Sequence, residues 1–307
     1  MTAADRITDG PPAHLHGPHH GPNHGAHVVV VLGPTASGKS DLAIDLARGI
    51  GGEVVNADAM QLYRGLDIGT AKTPPGERGG VRHHLLDVLD VNEPASVAVF
   101  QRDARQAIAD CHDRGVTPVL TGGSSLYVRA VVDRLDFPGT DRAMRARWTD
   151  ELDRVGAEAL HVVLAERDPA AAEQILSTNG RRLVRALEVI ELTGRPFAAT
   201  MPAYESVYRH LTMIGLQVER SDLDVRLAAR VNQMWANGLL DEVRALREVG
   251  LEQGETAAKA IGYRQALDQL DGRLTEAEAQ GETVRATKKF ARRQDRLFHS
   301  DPRIHWL

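Results

Sequence analysis

The chain has 307 residues, of which 42% are hydrophobic and 26% charged, and a formal net charge of −5. That is the composition of a globular protein of one large or two small domains, and it excludes nucleic-acid affinity by bulk positive charge. No apolar run reaches the ~18 residues that span a bilayer, no apolar signal core opens the chain, and one cysteine, Cys111, forms no internal disulfide, so we expect a cytoplasmic monomer with no membrane partner.

Residues 1–26 are rich in Gly, Pro and His, among them His14, His16, His19, His20 and His24. They lack apolar periodicity and read as a disordered tail, and the histidine spacing matches no defined metal site. His27–Leu32 is a short β-branched run, the pattern of a buried strand. Gly33-Pro34-Thr35-Ala36-Ser37-Gly38-Lys39-Ser40 follows and fits the phosphate-loop pattern G-x-x-x-x-G-K-[ST]. Leu42, Ala43, Leu46 and Ala47 then fall at helical spacing, with Gly49 as the expected cap. Glycines let such a loop turn its N–H groups inward. The helix N-terminus and Lys39 add positive charge, and the Ser40 hydroxyl is the candidate Mg²⁺ ligand. A di- or triphosphate is the expected ligand.

Glu53–Ala57 reads as a second strand, ending at Asp58. In doubly wound α/β proteins ligands lie beyond the carboxyl ends of the strands. Asp58 is therefore a candidate metal ligand or general base, with a turn former or helix cap as the plain alternative. Residues 58–73 are polar and glycine-punctuated, as an active-site loop is. His83–Val88 is a predicted third strand, Ser96–His112 an amphipathic helix carrying Cys111 as a small buried hydrophobe, and Val116–Leu120 a further strand. That strand runs into Thr121-Gly122-Gly123-Ser124-Ser125, a second glycine turn at a strand end.

From 136 to 205 strand signals vanish and helical ones dominate. Asp168-Pro169 forms a cap with proline at the first helical position, and Arg181–Leu192 is helical. Arg181, Arg182 and Arg185 share one surface of it, either a solvated face or a phosphodiester contact. Leu211–Leu216 returns to strand character. Ser221 is then expected to cap a helix turning Leu223, Leu227, Val231 and Met234 inward, with Arg226 and Arg230 one turn apart beside that stripe. Glu282–His299 is a basic helix, a solvated surface or a nucleic-acid face. The resulting fold class is α/β: a phosphate-loop parallel sheet (27–135 and 206–307) flanked by helices and interrupted by an all-helical insertion (136–205).

GPTASGKS at 33–40, NADAMQLYRGLDIGTAKT at 56–73, HHLLD at 83–87, TGGSSLYVRA at 121–130, RRLVRALEV at 181–189 and AIGYRQA at 260–266 resemble the tRNA dimethylallyltransferase (tRNA isopentenyltransferase) family. The resemblance implies transfer of a dimethylallyl group from dimethylallyl diphosphate to the exocyclic amine of the adenosine 3′ of the anticodon, in tRNAs that read codons beginning with U. It aligns Arg230 with the family's catalytic arginine and Asp58 with the aspartate that takes the amine proton. Gly33 and Thr35–Ser40 (with Ala36, Ser37, Gly38 and Lys39) then line the diphosphate site, with Mg²⁺ on Ser40. Ala59, Met60, Gln61, Ser124, Arg145, Arg181, Arg182 and Arg185 fall on the tRNA side with Asp58, and of these Arg181, Arg182 and Arg185 match positions that grip the anticodon stem-loop in the family. The family usually has Ser where this chain has Ala59, Thr where it has Ser124, and Thr-Trp where it has Arg296-Leu297. Two rival readings share the loop: a small-molecule or nucleotide kinase, and a nucleotide-dependent RNA-binding switch.

Overall fold

The protein is described from a computed structural model covering residues 27–197 and 204–307. The N-terminal tail lies outside the described residues. β1 (His27–Leu32) leads into α1 (Lys39–Ile50), β2 (Glu53–Asn56), β3 (His83–His84), α2 (Val97–Asp113), β4 (Pro118–Gly122) and α3 (Ser125–Val132). Four helices follow: α4 (Arg142–Val155), α5 (Ala157–Arg167), α6 (Pro169–Gln174) and α7 (Gly180–Thr193). The chain returns as β5 (His210–Gly215), α8 (Arg220–Ala236), α9 (Leu239–Glu248), α10 (Tyr263–Leu270), α11 (Glu276–His299) and β6 (Ile304–Trp306).

The six strands form one sheet in the order β3-β2-β4-β1-β5-β6, and every pairing is parallel. Central strands of a parallel sheet are covered on both faces, which is why Val28, Val30, Val31 and Leu32 run almost without a polar break. One face packs Val28, Val30, Val55 and Leu120 against Phe100, Ala104 and Ile108 of α2 and Val128 and Val131 of α3. The other sets Val31, Val54 and Val119 against Ala43 and Ala47 of α1. A second apolar cluster joins Tyr63 and Leu66 to α8–α11. Helices α4–α7 close on their own, around Trp148, Leu160, Leu164, Leu183 and Leu187.

Asp168 caps α6 as expected: its carboxylate accepts the Ala171 N–H at 3.0 Å, with Pro169 in the first turn. Four local readings are corrected. α1 runs through Gly49 to Ile50, because Gly51 is the residue in the left-handed region, with φ 64° and its N–H on the Ala47 carbonyl. β3 stops at His84, because Leu85 (φ 60°) and Asp87 (φ 58°) turn left-handed and bend the chain away. β4 lies further along than Val116–Leu120, reaching Gly122. Ser221 caps nothing: α8 begins at Arg220 behind Glu219, so the serine sits exposed within the first turn.

Candidate active site

Register brings three loops together. Leu32 pairs with Gly122 and Asn56 with Thr121, so the chain leaves β1, β4 and β2 side by side at the same edge of the sheet. Gly33–Ser40, Asp58 and Gly123-Ser124 meet there.

The loop after β1 is built around residues that tolerate its geometry. A Cβ on Gly33 would lie 2.5 Å from Ser37 Oγ, and Ala36 (φ 66°) and Gly38 (φ 92°) are left-handed. Gly38 stands immediately before α1, and the Ser37 N–H closes the turn on the Pro34 carbonyl at 3.2 Å. Ser37 Oγ is buried with no hydrogen-bond partner among the described residues. Lys39 Nζ donates to the Pro34 carbonyl at a long 3.4 Å. Burial pushes this lysine down to about 8, opposed by the negative charge of Asp58 and reinforced by Arg230.

Asp58 is held by its neighbours on both sides. Its N–H donates to Asn56 Oδ1 at 2.9 Å, its carbonyl accepts Asn56 Nδ2 at 3.1 Å, and its carboxylate accepts the Met60 N–H at 3.0 Å. Asn56 also donates to the Leu85 carbonyl at 2.9 Å, using the left-handed bend that ends β3. The turn-forming role is thus real, but one carboxylate oxygen remains for other work, and Asp58 lines a cavity.

Arg230 arrives from α8. Its guanidinium donates to Thr35 Oγ1 at 3.4 Å and to the Thr70 carbonyl at 3.3 Å. Burial lowers its basicity, and the charges of Asp58 and Asp41 counter that. Arg226, one turn earlier, is exposed and stays out of the group. Thr35, Asp58, Ala59, Met60, Ser124 and Arg230 line one cavity of about 330 Å³. Leu227, Val231, Met234, Ala260, Ile261 and Phe290 supply the apolar wall. A lining that sets Arg230, Lys259 and one carboxylate beside an apolar wall suits a ligand with an anionic head and a short hydrocarbon chain.

The segment 58–73 is fixed by two anchors the sequence did not announce. Lys72 is buried and donates to Asp67 and Asp87 at 2.6 Å each and to the Tyr63 carbonyl at 2.8 Å, which joins the GTAK and HHLLD motifs. Glu242 of α9 accepts the N–H groups of Asp67, Ile68 and Gly69 at 3.3, 2.8 and 3.4 Å. Gln61, expected on the tRNA side, donates to the Thr70 carbonyl at 3.2 Å within this same loop.

The arginines of the helical segment divide. Arg181 is exposed on α7, as is Arg182. Arg145 and Arg185 instead converge on Glu188, whose side chain is fully buried, at 2.6 and 2.9 Å. Arg185 also donates to the carbonyls of Pro138 and Gly139, so α7 is tied to the chain that leads into α4. None of these lines the cavity of Asp58 and Arg230.

The donor set at the loop fits Mg²⁺ that arrives with a phosphate. Ser40 lies in the first turn of α1, and no group of three His, Cys, Asp or Glu ligand atoms gathers there among the described residues. Mg²⁺ keeps most of its waters and takes phosphate oxygens, so it needs no such cage. Among the described residues the one cluster of that kind is Glu53, His84 and Cys111, and Glu53 opens β2, the end opposite Asp58. It already holds a cation, since Arg114 donates to both Glu53 oxygens at 2.5 and 2.6 Å. The Cys111 thiol is pushed up to about 11 by burial and by that carboxylate, which leaves it a protonated packing group.

A parallel sheet with a glycine loop, an acidic residue and a half-buried arginine at one strand edge makes an α/β core whose site suits an anionic ligand, and comparison with known proteins specifies it. The sequence profile of the IPP transferase family matches residues 61–301, and the chain belongs to that family. It is 59% identical over 280 residues to the tRNA dimethylallyltransferase of Streptomyces avermitilis, covering 91% of this chain and 89% of the relative. It is likewise 59% identical over 286 residues to the tRNA dimethylallyltransferase of Kineococcus radiotolerans, covering 91% and 90%. The crystal structure of tRNA isopentenylpyrophosphate transferase from Bacillus halodurans superposes with a TM-score of 0.66 at 40% identity, over 92% of this chain and 89% of that one. A eukaryotic dimethylallyltransferase acting on tRNA superposes with a TM-score of 0.80 at 27% identity, over 92% and 73%.

Proposed function

We propose that this protein transfers a dimethylallyl group from dimethylallyl diphosphate to the N6 amine of the adenosine 3′ of the anticodon, in tRNAs that read codons beginning with U. The observation that carries the reading is one cavity walled by Asp58, Thr35, Arg230 and an apolar surface, in a chain of the IPP transferase family.

In this reading the diphosphate sits in the loop 33–40, over the α1 N-terminus and Lys39, with Arg230 on its other side. The dimethylallyl chain lies on Leu227, Val231 and Met234. The purine comes from tRNA, extruded from its stack. The allylic C–O bond breaks and its electron pair leaves with the diphosphate. The N6 lone pair forms the new C–N bond, and an N6 proton passes to the Asp58 carboxylate. An exocyclic adenine amine is a poor nucleophile, and a positioned base supplies roughly 10²–10⁴-fold in rate. Lys39, Arg230 and the loop amides stabilise charge gathering on the leaving oxygen, and a lost donor of that kind costs roughly 10²–10³-fold. Ser40 would hold Mg²⁺ together with the diphosphate, and the ion would supply further charge neutralisation there. Arg181 and Arg182, exposed on α7, face the anticodon stem-loop in this reading.

The test is incubation with tRNA, Mg²⁺ and dimethylallyl diphosphate, then mass spectrometry of the nucleosides. The expected product is N6-dimethylallyladenosine, formed only with all components present. Turnover of ATP without prenylated nucleoside would return the kinase reading.

A further inference from the structure

Gln294 lies on α11 between the exposed cations Arg292, Arg293 and Arg296, yet it is only 4% exposed. Its inward neighbours along the helix, Ala291 and Phe298, are apolar. A buried amide is costly unless both ends are paired. Here both ends are paired with main chain, from two different loops of the candidate site. Oε1 accepts the Thr35 N–H at 3.0 Å, and Nε2 donates to the Gly123 carbonyl at 2.8 Å. Thr35 belongs to the loop after β1, and its hydroxyl is the group that receives Arg230. Gly123 belongs to the turn after β4, directly before Ser124. The amide fills the space a side chain would need at Gly123: the nearest atom to a Cβ built there is Gln294 Nε2, and Lys39 Cε is 3.8 Å away.

We propose that Gln294 is a positioning residue for donor binding. It clamps the two glycine turns at a fixed separation, so that the loop amides and Lys39 face the diphosphate together. The fit is chemical as well as steric. One group must offer an acceptor to Thr35 and a donor to Gly123, which an amide does. A carboxylate offers no donor, and a thioether forms neither strong hydrogen bond. A loop that loses both bonds keeps its residues but not their relative placement, and small misplacements of binding groups are expensive in rate. The inference rests on the proposed diphosphate site, and the test separates the two.

Three variants serve: Gln294→Met, which keeps volume and removes both bonds; Gln294→Glu, which keeps the acceptor alone; and Gly123→Ala, which attacks the clamp from the other side. The readouts are calorimetric binding of inorganic diphosphate with Mg²⁺, KM for dimethylallyl diphosphate and kcat, tRNA affinity by filter binding, and Tm. Gln294→Met is expected to weaken diphosphate binding and raise donor KM about tenfold or more, while tRNA affinity stays within twofold. Gly123→Ala is expected to do the same, and the double variant Gly123→Ala/Gln294→Met to be little worse than either single one. Unchanged donor KM in Gln294→Met and Gln294→Glu would overturn the clamp. So would parallel loss of tRNA affinity, donor affinity and Tm, which marks a merely structural residue. If the wild-type protein binds diphosphate without prenylating tRNA, the proposed function fails, and the diphosphate titrations of the variants still decide the clamp.

Discussion

The Tyr263 hydroxyl donates to a Glu242 carboxylate oxygen at 2.5 Å, and on this pair the backbone of residues 67–69 is suspended. Gly69 donates to both members, at 3.2 Å to the hydroxyl and 3.4 Å to the carboxylate. Burial and the Glu242 charge hold the Tyr263 phenol well above its ordinary pKa, so it stays a donor at any working pH. Thr70, next in the chain, gives its carbonyl to Arg230. Neither member of the pair lines the cavity, but both hold Gly69, which does, so the pair acts on the site through the loop.

Tyr263→Phe removes two hydrogen bonds, the one to Glu242 and the one from the Gly69 N–H, and is expected to cost about 1–3 kcal/mol of stability, the range for buried partners left unsatisfied. Gly69→Ala is expected to be worse, because its Cβ would lie 2.6 Å from Tyr263 Cζ. Thermal denaturation of the two variants checks the value and the order.

Asp58→Ala is expected to keep tRNA affinity and lose roughly 10²–10⁴-fold in single-turnover rate, the contribution of a general base. Asp58→Asn keeps the acceptor for the Met60 N–H and should separate the turn role from the proton transfer. If Asp58→Asn turns over like the wild type, the carboxylate is not the base.

Donor affinity should fall as pH rises through about 8, where burial places Lys39. The sign follows from the charge state. Below that value the lysine is cationic and meets the diphosphate charged; above it the proton must be taken up first. Between pH 7 and pH 9 the loss is expected to approach about tenfold, if the complex holds the proton firmly. Titrations in two buffers of different ionisation enthalpy should show proton uptake near pH 8.5, and Lys39→Met should abolish it.

Hydrogen bonding from Arg114 holds the Glu53 carboxyl at about 2, against an ordinary 4.5. A depressed carboxyl contributes stability that is complete above 4.5 and disappears as pH falls toward 2. Glu53→Gln should therefore melt below the wild type at pH 7, and the gap should narrow across that acid window. Thermal melts at several pH values in this range test it.

Arg181→Ala and Arg185→Ala should part company. Arg181 is exposed, so its loss should leave stability within about 0.5 kcal/mol, while lowering the salt dependence of tRNA binding by about one phosphate contact. Arg185→Ala removes one of two cations from buried Glu188 and should destabilise by about 1–3 kcal/mol. Chemical denaturation and salt titrations of tRNA affinity distinguish the two.

Much of this was legible along the chain. β1, the glycine loop and α1 follow one another with unmistakable local signals, and Asp58 stood out because a carboxylate at a strand end is unusual. Other features were hidden. β6 is three residues long, too short for any periodicity to mark it as a sheet edge. Gln294 sat inside a run of cations that reads as a solvated surface, and only an isolated uncharged polar residue on the apolar side of α11 hinted otherwise. Arg145 and Arg185 read as equivalents of Arg181, although a buried glutamate claims both.

The sequence by itself determined the alternation of strands and helices, the glycine loop after β1 and the family the chain resembles, because these depend on residues within a few positions of each other. Only the tertiary structure decided which distant groups meet. Arg230 reaches Thr35 across 195 positions and Gln294 reaches it across 259. Such pairings are set by how helices pack on the sheet, and packing energy is a property of the whole assembled surface, written in no single stretch of the chain.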